Sequence, residues 1–282
     1  MSARDAHHIA IGPEAVEGNG GRGRVFLLPG SPGRAERIAG MLEGRVSRPN
    51  PRRHEVHTGR WTWQGQGVDI GVVATGMGCP SLGIIVSELI AVGARTLLRV
   101  GTAGTLDSEA VPVGSLILAT GAVRDEGASD ALCPREVPAV AHPDVLAALS
   151  QAALGMGLGE RCFRGLVHCK DSFYGREVAV GPQARQSVDY MAMLKACGVL
   201  GTEMESSHLF LLAQVHGPDL RSLAAQALDP AVIRAGTVLA AIGDMQGWGT
   251  PELAARAEGE AIELALNAAV VLMERGRVEE GT

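Results

Sequence analysis

The sequence predicts one domain, residues 1–282, with a three-layer α/β/α fold around a central, mostly parallel sheet, and three observations support that prediction. Short apolar runs of strand length alternate with amphipathic stretches of helical length. Apolar residues make up 46% of the chain and aromatic residues only 3%, so aliphatic side chains must fill the core, as is typical of parallel sheets covered by helices. Several apolar runs end in glycine turns, where such folds pass from a strand to a helix.

The first half of the chain begins with an N-terminal arm, residues 1–23, whose second part is rich in glycine. Strands are predicted at 25–28, 56–63, 68–74 and 97–100, and helices at 33–42 and 80–92. The second helix has Pro80 in its first turn and an apolar face made of Leu82, Ile85, Val86, Leu89 and Ile90. The glycines of segment 101–104 are predicted to end the fourth strand.

The second half of the chain continues the alternation after a loop. Strands are predicted at 113–123, 162–169 and 237–242, and helices at 143–154, 183–197, 206–215 and 251–275. A long loop is predicted at 124–142 and a short extended element at 199–204. Because strands and helices alternate, we expect parallel strands joined by right-handed crossovers.

Composition excludes several classes of protein. The formal net charge is −6 and the pI about 5.8, so no basic surface field is expected and binding to nucleic acid or membrane is not predicted. The five cysteines are an odd number without a C-x-x-C pair, which disfavours a disulfide framework and a zinc site. No metal is therefore expected. No apolar run reaches 18 residues and the N-terminus lacks a signal-peptide core, so we expect a cytoplasmic protein.

Arg99 lies inside the apolar run of the fourth strand, where a guanidinium loses hydration that only an anion or several acceptors can replace. Beyond it, Gly101 and Gly104 let backbone N–H groups approach an anion, and Thr102 adds a hydroxyl donor. This pattern suits a phosphate site at the carboxyl end of a strand, where open α/β sheets bind ligands. An internal Arg–carboxylate pair beside an ordinary glycine turn explains the same residues, and both readings stay open.

Further arginines stand beside turns. The segment Pro29-Gly30-Ser31-Pro32 joins a strand to a helix with Arg34 in its first turn, which is a common anion-binding arrangement. Arg52 or Arg53, in an irregular basic stretch, is a third candidate. Three guanidinium groups can bind one phosphate trianion as a reactant, because each group offers two charge-assisted hydrogen bonds.

Acidic residues provide two further candidate sites. Glu203 and Glu205 are two residues apart and face the same way in an extended segment, so they suit either a grip on sugar hydroxyls or a cap for the following helix. Asp244 follows an apolar strand and could protonate a leaving group if an apolar site raised its pKa, or it could simply form a turn. His54 and His57 lack the further ligands that a metal site needs.

The chain resembles the nucleoside phosphorylase family, of the uridine phosphorylase and hexameric purine nucleoside phosphorylase type, and is closest to the uridine branch. Four segments in the family's order carry the resemblance: LLPGSPGRAERIA, ATGMGCPSLGIIVSEL, LLRVGTAGTL and GTEMESSHLF. Each is weak alone, but their joint occurrence is specific. The resemblance implies a single domain with a mixed sheet, and it marks residues 218–233 as an insertion.

The resemblance also implies roles for individual residues. The phosphate-binding positions are Gly30, Arg34, Arg52, Arg99, Gly101 and Thr102, with Arg53 as an alternative to Arg52. The ribose-binding positions are His8, Thr102, Met204 and Glu205, with Glu203 supporting. Phe173 would stack on the base. Because His8 and Arg52 match residues that serve a neighbouring subunit, the resemblance implies a homo-oligomer, a hexamer built from dimers.

The sequence departs from the family mainly around the base. Ser31 replaces an aspartate of the phosphate loop, and the segment after Phe173 lacks the glutamine of the uridine branch, which leaves Arg176 as a base-reading substitute. Asp244 instead resembles the aspartate with which the purine branch protonates its leaving base.

The implied reaction is phosphate-dependent cleavage of a ribonucleoside to ribose 1-phosphate and free base, catalysed through Arg99, Glu205 and Asp244, with a uridine-type substrate favoured. No cofactor other than inorganic phosphate, the co-substrate, is expected. Three alternatives stay open: a purine nucleoside phosphorylase using Asp244 as the acid, a hydrolytic nucleosidase, and a non-catalytic nucleoside sensor.

Overall fold

A mixed sheet of eleven strands forms the centre of the protein in the computed structural model, which describes residues 6–217 and 232–279. The strands are β1 Val25–Pro29, β2 Glu43–Arg48, β3 Val56–Trp63, β4 Gln66–Val73, β5 Thr96–Thr105, β6 Leu116–Asp125, β7 Ala139–Val140, β8 Cys162–Lys170, β9 Gly201–Glu203, β10 Arg234–Asp244 and β11 Gly247–Trp248. The helices are α1 Pro32–Ala39, α2 Cys79–Ala91, α3 Pro143–Gly155, α4 Ala184–Ala196, α5 Ser206–Val215 and α6 Pro251–Glu279.

The predicted three-layer architecture is confirmed by the way the core divides. One buried cluster packs apolar residues of α1, α3 and α6 against the sheet, and a second packs α2, α5 and the N-terminal arm against the other face. Every predicted strand and helix is present, with its ends shifted by a few residues. Most of the predicted insertion 218–233 lies outside the described residues.

Part of the sheet closes on itself. β5 pairs with β10, β10 with β6, β6 with β8, β8 with β9, and β9 again with β5. Parallel pairs join β4, β1, β5 and β10, and also β6, β8 and β9, while antiparallel pairs complete the closed ring and the outer edge. The carboxyl ends of β1, β4 and β5 therefore meet at one edge of the sheet.

β5 changes partner along one of its edges. Its pairing with β1 ends at Val100, opposite Pro29, and its pairing with β9 begins at Gly104, opposite Thr202. Residues 101–103 between these points pair with neither strand on that edge, so β1 and β9 diverge there. A place where neighbouring strands diverge leaves a crevice, and ligands of α/β proteins bind in such crevices.

The structure differs from the predicted elements in three places. β5 does not stop at the glycines of segment 101–104, because those residues continue to pair with β10 as far as Thr105, opposite Asp244. β2 was not predicted, because its sequence, EGRVSR, lies on an exposed outer edge and lacks apolar alternation. The predicted loop 124–142 also contains the short strand β7 and a 3₁₀ turn at Ser129–Ala131.

Candidate active site

A buried ion cluster lies beside the diverging strands. The Arg99 side chain, on β5, donates from Nε to Glu203 Oε2 at 3.1 Å, and its Nη2 contacts Glu205 Oε2. All three residues are at most 4% exposed. Burial by itself lowers the pKa of Arg99, but the charges of Glu205 and Glu203 outweigh it and raise the pKa, so the guanidinium stays charged.

One nitrogen of this guanidinium has no partner. Arg99 Nη1 is buried and finds no hydrogen-bond acceptor among the described residues. A buried cationic donor left in this state loses the free energy of a charged hydrogen bond, so its position suits an anionic ligand. The structure contains the internal carboxylate pairs of the second reading. Because these pairs use only part of the guanidinium, they leave room for the first reading, and phosphate binding by Arg99 stays a prediction.

Gly101 makes this arrangement possible. The Arg99 side chain folds along its own strand, and a Cβ at Gly101 would lie 2.8 Å from Arg99 Nη2 and 2.7 Å from Leu239 Cδ2. Any larger residue would push the guanidinium away from the carboxylates. Gly101, which was predicted to let an anion approach, thus leaves room for the Arg99 guanidinium.

Glu203 has the capping role that was one of the two alternatives, and the grip of Glu205 on sugar hydroxyls stays a prediction. Glu203 accepts the backbone N–H groups of Glu205 and Ser206, each at 2.9 Å, and so caps the start of α5 while it pairs with Arg99. Glu205 Oε1 accepts the N–H of Gly78 at 2.5 Å, which ties the glycine turn after β4 to the cluster. Burial raises the pKa of Glu205, and the charge of Arg99 opposes that rise.

The loop after β1 lies against the same turn. A Cβ at Gly30 would be 3.4 Å from the carbonyl oxygen of Gly76, and Thr75 donates its N–H to the carbonyl of Pro29 at 2.9 Å. Ser31, which departs from the family's aspartate, is the N-cap of α1 and accepts the N–H of Arg34 at 3.3 Å. The predicted phosphate loop is therefore brought to the crevice.

Arg34 reaches β5 from α1. Its Nη1 donates to the carbonyl of Val100 at 3.3 Å, its Nη2 pairs with Glu258 of α6 at 3.0 Å, and its Nε is buried without a partner among the described residues. Arg34 therefore contacts the backbone of the residue that follows Arg99 in β5, and each of the two guanidinium groups has one buried nitrogen without a partner among the described residues. Met204 and Thr102, predicted to contact ribose, are partly exposed beside them.

His8 and Arg52 lie on a separate patch of the surface. The His8 ring is 2.6 Å from Glu88 of α2, and Asn50 connects the two predicted residues by donating to the His8 carbonyl and accepting the Arg52 N–H at 2.8 Å. Arg52 and Arg53 are exposed. Within one chain these residues are not brought to the ion cluster, so their predicted role in a neighbouring subunit stays a prediction.

The predicted base end contains an aromatic pair that the sequence did not reveal. The Phe173 ring stacks on Trp248 of β11, with centroids 6.0 Å apart and planes 17° from parallel. Trp248 follows β10 after a short turn, and only the antiparallel pairing of β11 with β10 places it beside Phe173. No sequence signal joined two aromatic residues separated by 75 positions.

Arg176, the predicted substitute for the base-reading glutamine, is paired within the protein. Its Nε and Nη2 donate to both oxygens of Asp125, at 2.6 and 3.0 Å, and its guanidinium lies 4.5 Å from the Tyr190 ring centroid. His168 also contacts Asp125, at 3.0 Å. Burial works against the charge of Asp125, but these hydrogen bonds from His168 and Arg176 outweigh it and lower its pKa. Arg176 therefore anchors the wall of the crevice, and its role in reading a base has no support from this geometry.

Lys170 was not predicted as a site residue. It is 2% exposed, and its Nζ lies 2.7 Å from Glu177 Oε2, 2.9 Å from Thr202 Oγ1 and 3.4 Å from the Glu203 carbonyl. It also lies 5.8 Å from the Phe173 centroid. Lys170 is the last residue of β8, a strand that also contains Arg164 and His168, so no apolar pattern in the sequence marked this lysine as buried.

Asp244 does not have the raised pKa that an acid role requires. Its Oδ1 accepts the N–H groups of Gln246 at 2.8 Å and Gly247 at 3.1 Å, which closes the turn between β10 and β11. The hydrogen bond from Gln246 is the main reason that the pKa of Asp244 is lowered. Asp244 is thus the turn aspartate of the open alternative, and the expectation of a proton donor is corrected.

The described residues lack two further features. Within residues 6–217 and 232–279, no group of three or more His, Cys, Asp or Glu side chains is arranged to hold a metal ion. None of the described helices combines the length and apolar character needed to cross a membrane.

The chain is similar to proteins of known activity over most of its length. Residues 24–259 match the sequence profile of the phosphorylase superfamily. A uridine phosphorylase from Treponema pallidum is 34% identical over 255 residues, covering 89% of this chain and 90% of the relative. A guanosine phosphorylase from Halorubrum lacusprofundi is 32% identical over 264 residues, covering 94% of this chain and 100% of the relative.

The similarity extends to three dimensions. A crystal structure of uridine phosphorylase from Vibrio fischeri superposes with a TM-score of 0.72 at 25% sequence identity, covering 95% of this chain and 97% of that chain. The matched residues of the sequence profile include all crevice residues from Gly30 to Trp248.

Proposed function

The chain belongs to the phosphorylase superfamily, and from this premise we propose that it is a pentosyltransferase that cleaves the N-glycosidic bond of a ribonucleoside with inorganic phosphate. The products are ribose 1-phosphate and the free base, and a uridine-type substrate is favoured. One observation carries the proposal: Arg99 is paired with Glu205, Arg34 contacts the carbonyl of the next residue of β5, Val100, and each guanidinium has a buried nitrogen without a partner among the described residues.

The chemistry follows from charge. As the bond between the anomeric carbon and the base nitrogen breaks, positive charge grows on the sugar and the bonding electron pair passes to the base. The base gains one proton, which balances the proton that hydrogen phosphate loses when it becomes the ribose ester. A phosphate oxyanion held by Arg34, Arg99 and the backbone of the Gly30 turn stabilises the first charge and forms the new C–O bond. Glu205, fixed between Arg99 and the Gly78 amide, accepts from the ribose hydroxyls and holds the attack distance short. No step uses a metal or an organic cofactor.

The proposal includes a homo-oligomer, a hexamer built from dimers, in the cytoplasm. His8 and Arg52 are linked through Asn50 on one surface patch, so an adjacent subunit would receive both together. The buried Glu88 fixes this patch by accepting the backbone N–H groups of His8 and Ile9. A strictly monomeric protein that cleaves nucleosides at full rate would contradict this part of the proposal.

A second candidate substrate is a guanosine-type nucleoside, because one relative that matches nearly the whole chain is a guanosine phosphorylase. Asp244 does not support this candidate by acting as an acid, since its pKa is lowered. Phosphorolysis of uridine, guanosine and inosine by the same preparation decides between the two.

The proposed function is tested by measuring base release from a panel of nucleosides with and without phosphate. We expect ribose 1-phosphate to form and base release to stop when phosphate is omitted. Undiminished release of free ribose without phosphate would instead indicate a hydrolytic nucleosidase. Tight nucleoside binding with no turnover under either condition would indicate a sensor.

A further inference from the structure

The base end of the crevice has a floor without side chains. Gly104 of β5 pairs with Gly243 of β10, and Gly243 pairs with Trp248 of β11. Directly paired residues of neighbouring strands point to the same face of a sheet. The Trp248 ring, with Phe173 stacked on it, therefore lies on the same face as Gly104. At Gly243 a Cβ would be 2.6 Å from the Gly247 carbonyl oxygen, so the glycine lets β11 lie close against β10.

A carboxylate lies over this floor. A Cβ at Gly104 would be 3.0 Å from Glu177 Oε1, so a side chain there would meet the carboxylate directly. The Glu177 side chain is 14% exposed, and it therefore reaches the surface of the crevice. Its other oxygen, Oε2, is 2.7 Å from Lys170 Nζ, so the two oxygens have different environments.

Lys170 fixes the orientation of this carboxylate. Its ammonium group is held by Thr202 Oγ1 and by the carbonyl of Glu203, the residue that also pairs with Arg99. The ion pair of 2.7 Å with a buried ammonium keeps Oε2 turned toward Lys170. The positive charge behind Glu177 also offsets the repulsion that the carboxylate would exert on negative charge developing on the leaving base.

We propose that Glu177, oriented by Lys170, is the residue that selects the base. An ionised carboxylate only accepts hydrogen bonds, so it suits a ring N–H beside a carbonyl group, as in uracil, hypoxanthine and guanine. Cytosine and adenine present a lone pair at the corresponding ring nitrogen, which a carboxylate repels. The inference rests on the proposed function and adds to it the edge of the base that is read and the residue that reads it.

The experiment compares uridine, 3-methyluridine and cytidine in the wild type and in Glu177→Gln. The wild type is expected to cleave uridine at least about 100-fold more efficiently than the other two, because a site built for a hydrogen bond rejects analogues that lack it. In Glu177→Gln the Lys170 ammonium attracts the amide oxygen, so the NH₂ group faces the base. We expect kcat/KM for uridine to fall about 10- to 100-fold, that for 3-methyluridine to stay the same, and that for cytidine to rise.

Two further variants complete the design. Asp189→Asn changes an exposed carboxylate of α4 to an amide, and it is expected to leave all three kcat/KM values unchanged. Lys170→Met, which removes the ammonium, is expected to weaken discrimination between uridine and 3-methyluridine as Glu177→Gln does. If Glu177→Gln discriminates among the three nucleosides as the wild type does, the inference is overturned.

Calorimetric binding of free uracil and 3-methyluracil separates this inference from the proposed function. Weaker binding of uracil in Glu177→Gln, with unchanged binding of 3-methyluracil, would support the inference even if no nucleoside were turned over with phosphate. Phosphate-dependent turnover in which uracil selectivity does not depend on Glu177 would leave the proposed function standing and would overturn the inference.

Discussion

The two ends of the crevice are built in opposite ways. At the end assigned to phosphate and sugar, Arg99, Glu203 and Glu205 are at most 4% exposed and belong to the sheet or to the first turn of a helix. At the base end, Trp248 is 72% exposed and lies on a two-residue strand at the sheet edge. The end assigned to phosphate and sugar is thus buried, while the part of the base end around Trp248 lies on a short surface element, which tolerates change more readily.

The largest effect is expected at the buried end. Arg99→Lys keeps a positive charge but loses the fork that serves two carboxylates and an anion, so kcat/KM for phosphate should fall about 10²- to 10³-fold. Arg60→Ala, which removes an exposed ion pair with Asp69, is the control and should change stability by no more than about 0.5 kcal/mol. Initial rates and urea unfolding measure both. A loss of activity below tenfold in Arg99→Lys would show that this end does not bind the anion.

The two glutamates separate activity from stability. Glu205→Gln should lower kcat/KM for the nucleoside about 100-fold with a small loss of stability, because it weakens the hold on the sugar. Glu203→Gln should lower the free energy of unfolding by about 1–3 kcal/mol, because it weakens a buried partner of Arg99 and the cap of α5. Enzyme kinetics and urea unfolding of both variants measure these effects. Equal losses of kcat/KM and of the free energy of unfolding in the two variants would contradict the separate roles.

A pH dependence of stability is expected from the buried histidine of α5. His208 of α5 packs where Gly83 leaves room, and burial lowers its pKa. The unfolded chain then binds a proton that the folded chain does not, so this residue makes stability fall as the pH drops below about 6.5, by up to about 1.4 kcal/mol per pH unit. Urea unfolding at several pH values should show a shallower fall in His208→Gln, and the exposed His216→Gln should leave the fall unchanged.

The smallest effect is expected at the base end. Asp244→Asn should leave cleavage of uridine and inosine within about twofold of the wild type, a change of about 0.5 kcal/mol, because an asparagine oxygen can still accept from Gln246 and Gly247. Initial rates with both nucleosides check this expectation. If inosine cleavage alone were lost, Asp244 would be the proton donor after all and the comparison between the two ends would fail.

The sequence predicted the buried end better than the base end for a physical reason. The buried end is formed by two short segments, which contain Arg99 and Gly101 and also Glu203 and Glu205. Their residue types and spacing alone therefore indicate a cluster of opposite charges. Trp248 and Lys170 acquire their neighbours only through the pairing of β10 with β11 and of β8 with β9, which no local pattern specifies. Arg176 illustrates the same limit, because its type suited base recognition while its partner, Asp125, lies 51 positions away.

The ring of strands has a consequence for how the chain acquires activity. β10, near the C-terminus, is the strand that joins β5 to β6, so the ring stays open until residues 234–244 have been synthesised and paired. The crevice therefore cannot form in steps during translation. Fragments that lack residues 234–244 would have neither the closed ring of strands nor activity. Assembly through such distant pairings is intrinsically slow, and it exposes unpaired edges to aggregation while it proceeds.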